Sequence, residues 1–226
     1  LPTQIKIGFA FFNAVILSNT ISLEKAETGS GIFPLALLVA KEFLVGVVIG
    51  YVAYMIFSSI YLAGQLIDMQ IGFGIVNILD PVSNIQVPVT SNFYYIMCML
   101  SFLIMNGHHT LIRALFDSYK YVFIGAASFN NYLMEDIIRI FGNMFIVGFK
   151  IAAPITAAML ITDVALGVIS KSIPQINVFV VGMPLKIFLG VLVMLVTVPM
   201  FVMLLEALYN DIGSEMFDFM RDMGYK

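Results

Sequence analysis

The charged residues that could carry chemistry in this sequence lie inside or beside long apolar stretches. They are Lys41, Glu42, Asp68, Lys150, Asp163, Lys171 and Lys186. A charge at the centre of a bilayer costs about 2.5–3.5 kcal/mol on insertion scales, so such side chains usually face a bundle interior or a water-filled path. Two interpretations stay open. The charges relay protons or ions, as in a secondary transporter, or they snorkel, pair with neighbouring subunits, or lie on helices that do not reach full membrane depth.

No residue set typical of an enzyme or a metal site accompanies these charges. His108 and His109 are adjacent, and neighbouring side chains on a helix point about 100° apart, so the pair cannot chelate one ion. Cys98 is the single cysteine, which precludes an internal disulfide. Gly72 and Gly74 lack the third glycine of a dinucleotide loop, and no G-x-S-x-G motif occurs. We therefore expect no enzymatic activity, no cofactor and no metal.

Composition indicates a membrane protein. Of the 226 residues, 61% are hydrophobic and 11% are charged, whereas a soluble domain has about 45–50% and 25%. So few charges cannot solvate a soluble surface, and lipid must therefore be part of the solvent. The net charge is −3, and no basic patch typical of nucleic-acid binding occurs. No linker divides the chain, which predicts one membrane domain over residues 1–226.

Five hydrophobic blocks predict an all-α, integral-membrane fold. They cover residues 7–23, 32–67, 89–105, 137–169 and 185–205. Lys150 and Pro154 are expected to break the fourth block. A polar connector is expected over residues 113–139, before that block. Pro174 and Pro184 bracket a stretch too short to span as a helix, which predicts a tight hairpin or a re-entrant bend.

The segment 64–88 is too apolar for a solvated loop and too broken for an ordinary helix. Gly72 and Gly74 weaken a helix, and the step from Asp80 to Pro81 favours a turn. Irregular backbone at membrane depth persists only where protein buries it or where it lines a watery cavity. The segment therefore suggests a pore or a gate.

Two helix faces are expected to contact other protein. Gly46 and Gly50 form a G-x-x-x-G with Ser58 two turns further on, a spacing that lets helices approach closely within a bundle or in a dimer. Residues 205–223 repeat apolar side chains every three or four positions opposite acidic ones, which predicts an amphipathic helix. Its acidic face would be repelled by anionic lipid, so we expect it to dock on a partner helix.

Three strings, in this order, closely resemble the FliR/SctT family of export-gate proteins. They are GQLIDMQIGFGIVNILDPVSNIQVPV (64–89), NGHH (106–109) and APITAAMLITDVALGVISKSIPQINVFVVGMPLKI (153–187). The similarity covers nearly the whole chain, and residues 174–186 are its most specific part. Family members usually begin with a further hydrophobic segment that is absent before Leu1, so a truncated or partial protein is expected.

The resemblance implies a non-enzymatic subunit of a flagellar or type III protein-export gate. In this family a FliR-like subunit joins FliP-like and FliQ-like subunits in a helical channel that an FlhB-like protein contacts. The channel passes unfolded flagellar proteins, and the FliR-like fold looks like FliP and FliQ fused into kinked helical hairpins. The implied location is the bacterial inner membrane, at the flagellar basal body. Whether the system is flagellar or virulence-type stays open.

The resemblance also assigns a plug that closes the channel at rest to residues 72–88. The expected plug and pore residues are Gly72, Phe73, Gly74, Ile75, Val76, Asn77, Ile78, Leu79, Asp80, Pro81 and Pro88. The residues expected at subunit contacts are Gly46, Gly50, Asp163, Lys171, Lys186, Leu208, Ile212 and Phe219. The alternative is a secondary transporter that relays charge through Asp163 or Lys171.

Overall fold

A computed structural model describes residues 2–20, 31–75, 88–175 and 177–224. The regular structure in these ranges is helical. Its elements are α1 (Thr3–Thr20), α2 (Ile32–Ile71), α3 (Val89–Ile104), α4 (Gly107–Tyr121), α5 (Asn131–Ser172), α6 (Val178–Gly224) and a 3-10 turn (Phe73–Ile75) that follows α2. The predicted all-α class is confirmed.

The helices have the lengths and surfaces of membrane spans. Among the described residues, α2, α5 and α6 are long and apolar enough to cross a membrane. Helices α3 and α4 together meet the same test as one broken span, bent by 69°. Asn106 lies at the bend with φ of 57°, a left-handed conformation that asparagine tolerates better than most residues. In an apolar 18-residue stretch of each long span, between 11% and 28% of the residues are buried within the chain. Most of the apolar surface there requires lipid or other protein as a neighbour.

The two longest helices are less broken than the sequence suggested. Helix α5 continues past Lys150 and Pro154, so the predicted break is wrong. Helix α6 contains both Pro184 and Pro199. A proline removes one backbone hydrogen bond, but neighbouring helices and local adjustments can satisfy the freed group in a membrane span. Helix α5 ends at Ser172 and α6 begins at Val178, so residues 178–184, which were predicted to lie in a tight hairpin or re-entrant bend, are helical.

The polar connector expected over residues 113–139 is largely helical. Arg113 and Lys120 belong to α4, and Arg139 belongs to α5, which leaves residues 122–130 as the connection. Helix α4 buries Ala114 and exposes charged side chains elsewhere. An amphipathic helix packs through one buried face. The charged residues on the other face of α4 made its sequence look like a polar connection.

The chain divides into two compact units. The first comprises residues 1–52, 109–136 and 213–226, and the second comprises residues 53–108 and 137–212. In the first unit, charged side chains hold the α4–α5 connection. Lys41 Nζ donates to the carbonyl of Gly125 at 3.1 Å, and the Gly125 N–H donates to Glu42 Oε1 at 2.9 Å. Two of the intramembrane charges thus bind backbone within the chain, while the prediction of a single domain stays a prediction.

The C-terminal tail is an amphipathic helix, as predicted, and it is the continuation of α6. Its apolar face is buried within the chain. The side chains exposed by 2% or less are Leu205, Ile212, Met216, Phe219, Met220 and Met223. In the first unit, the carbonyl of Met223 accepts hydrogen bonds from both the N–H and the hydroxyl of Ser128. The tail therefore docks on protein, and that protein includes its own chain.

Candidate functional site

The segment predicted as a pore loop has both of its described ends in the second unit. Its first residues form the end of α2 and the 3-10 turn, and Pro88 precedes α3. The stretch 64–71, which the sequence suggested was too broken for a helix, is helical. Residues 76–87 lie outside the described residues. That range includes the predicted plug residues Val76, Asn77, Ile78, Leu79, Asp80 and Pro81.

Helices α2 and α3 approach each other very closely at Gly64 and Ser91. A Cβ atom built on Gly64 would lie 2.2 Å from the Cα and 2.5 Å from the N atom of Ser91. Because these are backbone atoms, no other side chain fits here without separating the helices. The Ser91 hydroxyl donates to the carbonyl of Tyr61 at 3.1 Å, which joins the two helices one turn earlier.

Asp68 binds the N-terminus of α3 one turn beyond this contact. Its Oδ1 accepts a hydrogen bond from the Thr90 N–H at 3.0 Å, and its side chain is buried. The first N–H groups of a helix have no partner within the helix, and Pro88 at the N-cap provides no side-chain cap. Asp68 therefore serves as a cap from a different helix, with its charge near the positive end of the α3 dipole.

The start of the segment is fixed against α6. Ile71 is buried, and a Cβ on Gly190 would lie 2.6 Å from its Cδ1 atom. Gly72 then ends α2 with φ of 100°, a conformation that glycine adopts without strain. Its N–H donates to the carbonyl of Asp68 at 3.1 Å. Gly72 was expected to weaken a helix, and α2 ends at the residue before it. A Cβ built on Gly74, in the following turn, has no atom within 4 Å.

A cavity of about 550 Å³ lies beside this fixed end. Its wall includes Gly72, Gly74, Asp163 and Lys186. Asp163 and Lys186 form an ion pair of 2.6 Å that joins α5 to α6 across the cavity wall. Two more of the intramembrane charges are therefore paired inside the chain, which fits a structural role better than a relay that needs a mobile proton.

The other predicted contact residues fall into two groups. Gly46, Gly50 and Lys171 are exposed in the isolated chain. Ile212 and Phe219 are buried in it, and Leu208 is half-buried. Contacts of these positions with another subunit stay predictions. In the described part of the chain, no three His, Cys, Asp or Glu side chains come together as metal ligands would.

The long apolar helices, the broken span and the close contact between α2 and α3 define an all-α integral-membrane protein. Comparisons with known proteins then give its family. The chain matches the family described as "Bacterial export proteins, family 1" over residues 1–212. The chain belongs to this family, whose FliR and SctT members it resembled from sequence motifs.

Curated relatives agree with this family. The chain is 40% identical over 204 residues to the flagellar biosynthetic protein FliR of Bacillus subtilis, covering 87% of this chain and 76% of that protein. It is 26% identical over 223 residues to FliR of Escherichia coli, covering 99% and 85%. It is also 33% identical over 158 residues to the Yop proteins translocation protein T of Yersinia pestis, covering 68% and 60%.

Sequence reasoning missed part of this site. Asp68 stood out as a charge in an apolar stretch, but its partner Thr90 is 22 residues away and is not an acid or a base. Ser91 and Gly64 gave no signal of their own, because a close helix approach needs only one small residue on each side. The Pro88 N-cap without a capping side chain was the one local sign that another helix must supply an acceptor.

Proposed function

We propose that this protein is a non-enzymatic subunit of the flagellar type III protein-export gate. The family match over residues 1–212 carries the proposal. Relatives that align with most of the chain are named as flagellar biosynthetic proteins, and a less extensively aligned relative is named for the translocation of Yop proteins. The higher identity to a flagellar relative, 40% against 33%, favours the flagellar system.

The proposed partners are FliP-like and FliQ-like subunits together with an FlhB-like protein, in the bacterial inner membrane at the flagellar basal body. Exposed surface supports a hetero-oligomer. Helix α1 buries only Leu17 among its described side chains. The open stripe at Gly46 and Gly50 has no atom within 4 Å of either built Cβ. Lipid can cover apolar side chains, but small residues that leave room for a backbone suit a neighbouring helix better.

We further propose that residues 72–88 form the plug that closes the export channel to ions and small solutes. The geometry of the loop base supports this proposal. The pair Gly64 and Ser91 and the pair Asp68 and Thr90 hold the helices that precede and follow the segment. With the base held in this way, the segment between can be displaced by an exported chain while the surrounding helices keep their packing. A hydrophobic constriction can exclude ions by dewetting.

Co-assembly tests the proposed function. The tagged chain is expressed alone, with the FliP-like and FliQ-like subunits of the same bacterium, and with an unrelated polytopic membrane protein as the control. We expect a monodisperse complex in detergent only with the two export subunits. A folded, monodisperse chain that transports ions by itself, with flux lost in Asp163→Asn or Lys171→Gln, would instead support the secondary transporter.

A further inference from the structure

A second cavity of the second unit is a groove with three tyrosines. It has a volume of about 580 Å³ and is bordered by α2, α3 and α5. We call it the tyrosine groove and define it by Tyr54, Tyr61, Gln65, Asn92 and Tyr95. None of these side chains belongs to the loop base described above.

The groove follows one face of α2. Tyr54, Ser58, Tyr61 and Gln65 are spaced by three or four residues, so they lie above one another on the same side of the helix. At 1.5 Å per residue this stripe is about 16 Å long, or three helical turns. This length corresponds to three turns of another helix.

The groove has an apolar floor and a polar rim. Phe57, Leu62 and Met144 line it and are half-buried. The rim is open, since Tyr54 is 66% exposed in the isolated chain and Tyr95 is 38% exposed. An apolar centre surrounded by polar groups, with tyrosine enriched, is the composition of a protein–protein interface.

Lipid cannot provide the hydrogen bonds that the polar groups of this surface require. Among the residues that the structure describes, Gln65 and Asn92 make no side-chain hydrogen bond, and acyl chains offer none. A phosphate headgroup prefers lysine or arginine, whereas every side chain that lines the groove is uncharged. An occupant therefore needs both apolar bulk and neutral hydrogen-bonding groups, which a transmembrane helix carries.

We propose that the tyrosine groove is the docking site for an uncharged transmembrane helix of a neighbouring subunit. The helix places a bulky apolar side chain over Phe57 and Leu62 and a hydrogen-bonding side chain beside Gln65 or Asn92. This inference rests on the proposed function, because it takes the neighbour to be a subunit of the same export apparatus.

Photocrosslinking tests the identity of the occupant. Benzoylphenylalanine replaces Tyr54 in one sample and Tyr132 in the control, since these tyrosines are 66% and 65% exposed and only Tyr54 lines the groove. In the assembled complex we expect Tyr54 to give one adduct with a helix of a FliP-like or FliQ-like subunit, mapped by peptide mass spectrometry. The Tyr132 sample should lack that peptide. Adducts at Tyr54 only with lipid, only with an exported polypeptide, or none at all would overturn the proposal.

A steric block tests whether docking matters. Ser58→Trp fills the groove, and Ser172→Trp adds the same bulk at an exposed position outside it. We expect about tenfold less partner subunit to co-purify with Ser58→Trp, the loss typical of a blocked interface hot spot, and no change with Ser172→Trp. Normal assembly of both variants would overturn the inference while leaving the proposed function intact. Failure of the unsubstituted chain to assemble would instead overturn the proposed function, and the inference with it.

Discussion

The Thr90 N–H at the start of α3 needs an acceptor, and Asp68 supplies it from the neighbouring helix. This contact explains why an acid persists in an apolar sequence. Lys41, Glu42, Asp163 and Lys186 likewise bind backbone or each other. At the scale of single residues, the intramembrane charges are therefore largely structural.

The role of Asp68 can be measured by comparing two substitutions. Asp68→Ala removes the acceptor from a buried N–H and is expected to cost about 1–3 kcal/mol. Asp68→Asn should be milder, because it removes the charge but keeps an oxygen toward Thr90. The atom it replaces, Oδ2, has no hydrogen-bond partner among the described residues. Thermal unfolding of the assembled complex is followed by dye labelling of Cys98, which is fully buried. Equal midpoints for Asp68→Ala and the unsubstituted chain would remove Asp68 from this role.

Gly64→Ala should be far more damaging than an alanine at a glycine with free space. The new Cβ would meet backbone atoms of Ser91 at 2.2–2.5 Å, so α2 and α3 would have to separate. Gly142→Ala is the matched control, since a Cβ there has no atom within 4 Å. The yield of assembled complex after detergent extraction is the measurement. Equal yields for the two variants would contradict the close approach.

The ion pair of Asp163 with Lys186 predicts a charge-reversal rescue. Each single reversal, Asp163→Lys or Lys186→Asp, brings two like charges together and should cost about 1–3 kcal/mol, between the values for exposed and buried pairs. The double reversal restores the attraction and should recover most of the lost stability, read as the Cys98 labelling midpoint. Additive losses in the double variant would show that the two side chains act independently.

At the scale of helices, the hydrophobic blocks were predictable and their boundaries were not. Long apolar runs require helices in lipid, so α2, α5 and α6 were expected near their observed places. Proline was misleading, because Pro154 lies inside α5 without ending it. The helical content of α4 was missed since its charges obscured its buried face. Contacts such as that of Gly64 with Ser91 depend on tertiary packing, which periodicity within one segment does not encode.

The tail of α6 is expected to stabilise the chain as well as the assembly. Phe219 is fully buried, so Phe219→Ala should cost about 3–5 kcal/mol. Phe188→Ala on the same helix is the control, since Phe188 is 65% exposed.

Truncation after Leu204 should weaken assembly while leaving membrane insertion intact. Co-purification measures assembly, and limited proteolysis of membranes measures insertion. An unchanged truncated complex would make the tail dispensable.

At the scale of the whole molecule, the family and the exposed apolar surface both indicate a membrane protein that packs against neighbours. A chain with most of each span uncovered needs lipid and neighbours, and its relatives are named for flagellar biosynthesis. The partner-facing surfaces could not be ranked from sequence, because small and aromatic residues occur on many helix faces. The tyrosine groove became visible only once α2, α3 and α5 were placed together.

Shortening the proposed plug tests the central claim most directly. That claim is that this chain is the gate subunit of an export channel. Residues within 74–84 are shortened in the complete complex, which is reconstituted in planar bilayers and compared with the unsubstituted complex and with Phe188→Ala. Because the loop base is held by Asp68 and Gly64, we expect the shortened complex to assemble normally and to conduct ions steadily, while both controls stay closed. A shortened complex that assembles and stays as tight as the controls would contradict the account and leave the segment with a structural role alone.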